Sequence, residues 1–202
     1  MKGYRKREEK EKELYVGVDM HKTSWHVTAL SEGEELFSGG IPAKWHALRR
    51  LLDRHQDYSI HVVYEAGYFG FWLYDEAIAY GANCTVTPPS LIPMEYGNRV
   101  KTDPRDSRKL AYLLAKGMLK EVWVPSQEER YHRQVARRRR QLIRDRVRTQ
   151  SRIKAELRFY GIDLPAPVGK WTRIYMENLK RFRFKDRWMQ ESFDRLLENY
   201  AF

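Results

Sequence analysis

Leu14-Tyr15-Val16-Gly17-Val18-Asp19 is the stretch on which the fold turns: a short apolar run closed by an acid, as expected of a buried β-strand. Reading outward, Trp25-His26-Val27-Thr28-Ala29-Leu30 gives a second strand and Glu35-Leu36-Phe37-Ser38-Gly39 a third. Ser31-Glu32-Gly33-Glu34 joins these two, a spacing that predicts antiparallel hairpins. From Ala43 to Arg54, Trp45, Leu48, Leu51 and Leu52 fall on one helical face. Ile60-His61-Val62-Val63-Tyr64 is a fourth strand, ending in Glu65. After Ala66-Gly67-Tyr68, the segment from Phe69 to Tyr80 reads as a helix closed by Gly81. Asn83-Cys84-Thr85-Val86-Thr87 is a fifth strand, stopped by Pro88-Pro89. At Thr102-Asp103-Pro104 a helix begins, with a capping residue and a proline in its first turn. Leu110, Leu113 and Leu114 follow at helical spacing. Three antiparallel strands followed by strand, helix, strand and helix predict the α/β class, a mixed sheet flanked by helices.

The character changes after Pro125. Glu128 to Tyr160 contains no Gly or Pro, and Val135, Leu142, Val147, Ile153, Leu157 and Tyr160 make a thin apolar stripe at roughly heptad spacing. A long helix of coiled-coil type follows, whose narrow seam needs a partner, either a second copy or a fold-back. Gly161-Ile162-Asp163-Leu164-Pro165-Ala166-Pro167 breaks it, and Lys170 to Phe202 is again helical in pattern. The expected division is a disordered charged tail over 1–13, an α/β domain over 14–125 and a helical, arginine-rich region over 126–202.

Charge is distributed unevenly. The chain of 202 residues carries a formal net charge of +11. Arg130 to Arg158 alone holds eleven Arg, one Lys, one Asp and one Glu, a net +10. Such a stripe is too lopsided for an ordinary solvated helix face and predicts a polyanionic partner. Arginine in place of lysine suits bidentate phosphate contact. Arg133, Arg137, Arg138, Arg140, Arg144, Arg148 and Arg152 are the candidate nucleic-acid contacts. Charged residues make up 32% of the chain and the mean hydropathy is −0.74. No apolar run is long enough to span a bilayer, and no signal-peptide pattern follows the charged start. Cys84 is the single cysteine, which excludes an internal disulfide and a cysteine-rich zinc site. A cytoplasmic location without membrane partners is expected.

Four acids occupy informative places: Asp19 and Glu65 at strand ends, and Asp103 and Asp106 three apart at a helix start. Taken singly, each has an ordinary structural explanation as a turn or cap residue. Glu65 resists it most, because an acid straight after a buried strand calls for pairing or a cation. Together they form a hard-oxygen set suited to Mg²⁺ or Mn²⁺. The aromatics Tyr68, Phe69, Phe71, Trp72 and Tyr74 fit core packing better than base stacking. His21 and Lys22 could touch a phosphate or simply occupy an exposed turn.

Three segments carry a resemblance: Val16-Gly17-Val18-Asp19-Met20-His21-Lys22, Tyr64-Glu65-Ala66-Gly67, and Lys101-Thr102-Asp103-Pro104-Arg105-Asp106-Ser107-Arg108-Lys109-Leu110-Ala111. In order and spacing they resemble the signature segments of the DEDD insertion-sequence transposases, the family of the bridge-RNA-guided recombinases and Piv-type invertases. The resemblance covers about residues 14 to 160. It implies an RNase H-like, RuvC-like domain in which Asp19, Glu65, Asp103 and Asp106 form the catalytic, metal-binding tetrad. It implies also that the arginine-rich helix contacts nucleic acid and pairs subunits as a dimer, and that the partners are DNA and a guide or structured RNA. No segment matches the family's serine-bearing C-terminal domain, so that domain is expected to be absent. Ser24, Ser107 and Ser126 are accordingly assigned no nucleophilic role. The leading expectation is the metal-dependent part of a DNA transposase or recombinase. A non-catalytic nucleic-acid-binding and dimerisation module or transposase remnant is the alternative, and a stand-alone RNase H-like nuclease or junction resolvase a third.

Overall fold

The computed structural model describes residues 12–93, 103–163 and 171–201. The expected tail over 1–11 and the 164–167 part of the helix break lie outside them. Two compact units divide the chain, Met1–Val124 and Pro125–Phe202.

In the first unit β1 (Lys12–Met20) opens two residues before the apolar run. It pairs antiparallel with β2 (Ser24–Ser31), which pairs antiparallel with β3 (Glu34–Pro42). On its other side β1 runs parallel to β4 (Tyr58–Glu65), and β4 runs parallel to β5 (Asn83–Thr87). The sheet order is therefore β3-β2-β1-β4-β5. Each parallel step requires a crossover, supplied by α1 (Trp45–Leu52) and α2 (Trp72–Tyr80). This is the expected α/β class with a mixed sheet, in an RNase H-like strand order.

Side chains alternate across a strand, so β1 serves two cores. Leu14, Val16 and Val18 face α1 and α2 and join Trp25, Val27, Leu48, Leu52, Val62, Tyr64 and Leu73 in the larger core. The opposite face is covered by α3 (Asp103–Ala115), where Val63, Ile92, Leu110 and Leu113 pack together. The second helix starts at Trp72 rather than Phe69. Gly70 has φ +69°, a left-handed conformation, and its N–H donates to the Gly67 carbonyl at 3.2 Å, so the preceding residues form a turn.

In the second unit α4 (Gln127–Phe159) is one helix of 33 residues, about 50 Å long at 1.5 Å per residue. A capping box starts it: the Glu129 N–H donates to Ser126 Oγ at 3.2 Å, and the Ser126 N–H donates to Glu129 Oε2 at 2.9 Å. The apolar seam is treated in two ways. Ile153 and Leu157 are buried by α5 (Arg173–Arg181) and α6 (Arg187–Ala201), against Tyr175, Leu179, Phe193 and Leu197. Val135, Leu142 and Val147, further toward the start of α4, are exposed. The uninterrupted helical pattern read after Lys170 is in fact two helices. Phe182 and Phe184 turn inward onto Phe193, with ring centroids 6.1 and 5.4 Å away. Asp186 then caps α6 by accepting from the Trp188 and Met189 N–H groups at 2.9 and 3.0 Å.

Candidate functional site

Asp19 and Glu65 end neighbouring parallel strands in matched register: Val18 lies beside Tyr64, one residue before each acid. Both acids therefore take the sheet face of Gly17 and Val63, the face that α3 covers. Asp19 is mostly buried, with 19% side-chain exposure, and its Oδ2 lies 3.1 Å from His21 Nε2. Glu65 is exposed rather than buried, so burial alone does not call for a cation there; what marks it is the Asp19 strand end beside it. Asp106 is half-buried in the first turn of α3. Asp103 is the first residue of that helix, and its side chain lies outside the described residues. Among the described residues, no group of three or more His, Cys, Asp or Glu side chains is close enough to hold a metal ion.

The first turn of α3 is set against the sheet by backbone contact. A Cβ placed on Gly17 would lie 2.0 Å from the Ser107 carbonyl oxygen and 2.7 Å from the Ala111 nitrogen. Only glycine permits this approach, two residues before Asp19. Beside it the fully buried Ser107 hydroxyl lies 2.8 Å from His26 Nδ1 and 2.8 Å from Thr28 Oγ1. His26 is the cross-strand neighbour of Asp19, and Thr28 that of Gly17. Sequence reasoning missed this network, although its signal was present: His26 and Thr28 are polar positions two apart in an otherwise apolar strand, hence on one face. Ser107→Ala is expected to cost about 1–3 kcal/mol in urea unfolding, because buried partners lose a hydrogen bond. Adding Thr28→Val removes one stranded hydroxyl and should recover part of that loss. Simple additivity of the two substitutions would show that the network is not coupled.

Past the sheet edge, the Ala66 N–H donates to the Thr87 carbonyl at 2.8 Å, and the Tyr64 hydroxyl donates to the Gly70 carbonyl at 3.1 Å. The aromatic segment held by these bonds is divided. Phe69, Phe71 and Tyr74 are half-buried, but Tyr68 is 83% and Trp72 39% exposed, against the expectation of core packing. Thr87 lies in register with Glu65, and its buried Oγ1 has no hydrogen-bond partner among the described residues. An uncommitted oxygen next to the Glu65 strand end fits a hard-oxygen cation or its water shell. Cys84 offers no nucleophile: burial, helped by the charges of Asp75 and Glu121, pushes its thiol up to about 12.

On α4, all seven candidate arginines are exposed. Arg133, Arg137, Arg140, Arg144 and Arg148 recur every three or four residues, so they form one row spanning about 22 Å. By the same periodicity the row lies opposite Val135, Leu142 and Ile153. Arg148 pairs with Asp145 at 3.3 Å. No helix among the described residues is long and apolar enough to cross a membrane.

Comparison with known proteins bears on both features. The chain is 32% identical to y4qE, a Sinorhizobium fredii protein named as a transposase, over 89% of its own length and 45% of that protein's. It is 27% identical to the transposase for insertion sequence element IS1533 of Leptospira borgpetersenii, over 91% of its own length and 54% of the relative's. The chain thus spans about half the length of the curated relatives it matches. The transposase family of the DEDD IS110 type matches residues 16–162, a span that includes Asp19, Glu65, Asp103, Asp106 and the whole arginine row, and the chain belongs to that family.

Proposed function

We propose that this chain is the metal-dependent, nucleic-acid-binding part of a DNA transposase or recombinase, acting in phosphodiester cleavage and strand transfer. The observation that carries the reading is the parallel register of β1 and β4, which ends with Val18 beside Tyr64 and so sets Asp19 and Glu65 at neighbouring strand ends, on the face covered by α3. Two carboxylates on neighbouring strands, which lie about 4.8 Å apart, are a hard-oxygen pair of the kind that suits a divalent cation. In this reading Asp103 and Asp106, from the first turn of α3, complete the ligand set. Mg²⁺ or Mn²⁺ held there would supply Lewis-acid activation of a water or hydroxyl and would neutralise charge at the phosphodiester. The protein's own contribution is placement: Gly17 and the Ser107 network fix the start of α3 over Asp19, and Thr87 adds an oxygen at the same edge. The arginine row of α4 would bind the backbone of DNA, and of a guide or structured RNA as in the RNA-guided members of the family. The exposed Val135 and Leu142, on the face opposite the arginine row, offer a seam to a second copy, giving a dimer.

Calorimetric titration with Mn²⁺ tests the metal site. Wild type is expected to bind, and the Asp19→Asn, Glu65→Gln double variant to lose binding while keeping its melting temperature. Equal affinity in both would remove the tetrad. Salt-sensitive DNA binding would then be left to a non-catalytic binding module.

A further inference from the structure

We propose that Tyr68, backed by Phe69, is a stacking platform for an unpaired DNA base beside the carboxylate edge. The strand presented to that edge would then be single-stranded or locally opened. Several observations converge on this residue. Tyr68 is 83% exposed, yet it is not on a loose loop. Its segment is closed by the Gly67–Gly70 turn, tied to β5 by the Ala66–Thr87 hydrogen bond and pinned from below by the buried Tyr64 hydroxyl. The Phe69 ring supports the Tyr68 ring at a centroid distance of 4.1 Å with 31° between the planes. An aromatic held this way has already lost most of its freedom, so a base landing on it loses little further entropy.

Position supplies the ligand class. Tyr68 follows Glu65 by three residues, so its Cα lies within about 11 Å of the acid's Cα. At 3.4 Å per stacked nucleotide this is about three nucleotides of strand. His21 and Lys22, both exposed, occupy the turn after β1 at the same edge of the sheet, where β1 and β4 end side by side. The Lys22 ammonium for a phosphate together with an aromatic for a base are the two elements of single-strand recognition. A duplex offers no base face to a ring at its side, so the platform discriminates against fully paired DNA.

The inference rests on the proposed site only for what lies next to the base, and its test avoids metal. A short single-stranded DNA carrying one 2-aminopurine is titrated with the whole chain in the presence of chelator, reading affinity and fluorescence quenching. Tyr68→Ala is expected to weaken single-strand binding roughly 5- to 100-fold and to abolish the stacking-dependent quench. Duplex binding and the melting temperature should be unchanged. Tyr68→Phe and Tyr68→Trp should restore both signals, since they keep the ring without the hydroxyl. Asp19→Asn should leave stacking intact, which separates this proposal from the metal reading. Unchanged single-strand affinity and quench in Tyr68→Ala would overturn the proposal, as would an equal loss on duplex DNA.

Discussion

Replacing Gly17 by alanine is expected to lower the melting temperature by about 10 °C and to remove Mn²⁺ binding, although no ligand is touched. The added Cβ would sit 2.0 Å from the Ser107 carbonyl oxygen and 2.7 Å from the Ala111 nitrogen. Both are backbone atoms, so no side-chain rotation relieves the overlap; the helix itself must move away from β1. Overpacking of this kind costs about 3 kcal/mol, which for a chain of this size corresponds to about 10 °C. A shift that lifts α3 also stretches the 2.8 Å contacts of Ser107 to His26 and Thr28. Asp106 is carried on the same turn, so the carboxylates separate and the proposed site loses its geometry. Gly40→Ala is the control: nothing lies within 4 Å of its Cβ. Gly to Ala at a compatible position stabilises by about 0.4–1 kcal/mol through the unfolded chain. Differential scanning calorimetry on both variants separates the effects, and a Gly17→Ala protein as stable as wild type would refute the backbone-contact account.

That contact also marks where sequence reading stopped. Apolar runs and turn residues located all five strands, because burial and turn chemistry leave a local imprint in composition. That Asp19 and Glu65 stand at strand ends was legible in the sequence; that β1 and β4 run side by side was not, because it depends on the crossover through α1. The start of α2 was misplaced by three residues: a positive φ at Gly70 is a backbone choice that an apolar pattern running through Phe69 and Phe71 conceals. Exposure at Tyr68 was misjudged for a related reason. Hydrophobicity predicts burial on average, whereas a pinned turn forces its tip outward whatever residue stands there. The division of the last segment into α5 and α6 depends on three phenylalanines meeting in space, a tertiary event that overrides helical propensity. Ser107 is the instructive case. It was weighed as a nucleophile and set aside, yet it lies fully buried between β2 and α3, where its hydroxyl binds the sheet.

Replacing Arg133, Arg137, Arg140 and Arg144 together by alanine is expected to weaken duplex DNA binding by about two to three orders of magnitude near physiological salt. These four lie on one helical row, all exposed, so one side of a groove can meet them together. Each phosphate neutralised on duplex DNA contributes about −0.9 to the slope of log affinity against log salt; losing four contacts should flatten the slope by roughly 3.6 units. The fold should survive. Alanine and arginine are both strong helix formers, and Arg133–Arg137 and Arg140–Arg144 are like-charge pairs four residues apart, a spacing that destabilises a helix by a few tenths of a kcal/mol. The variant should thus be as stable as wild type or slightly more so, an outcome that a structural role for the row would not produce. Fluorescence anisotropy at several salt concentrations, with thermal melts alongside, measures both quantities. An unchanged slope would mean that the row does not touch phosphate and that its charge serves another partner. A flattened slope with lowered stability would mean that the arginines hold the helix as well as the nucleic acid. A flattened slope on an intact fold is the result that makes α4 the electrostatic arm of the protein.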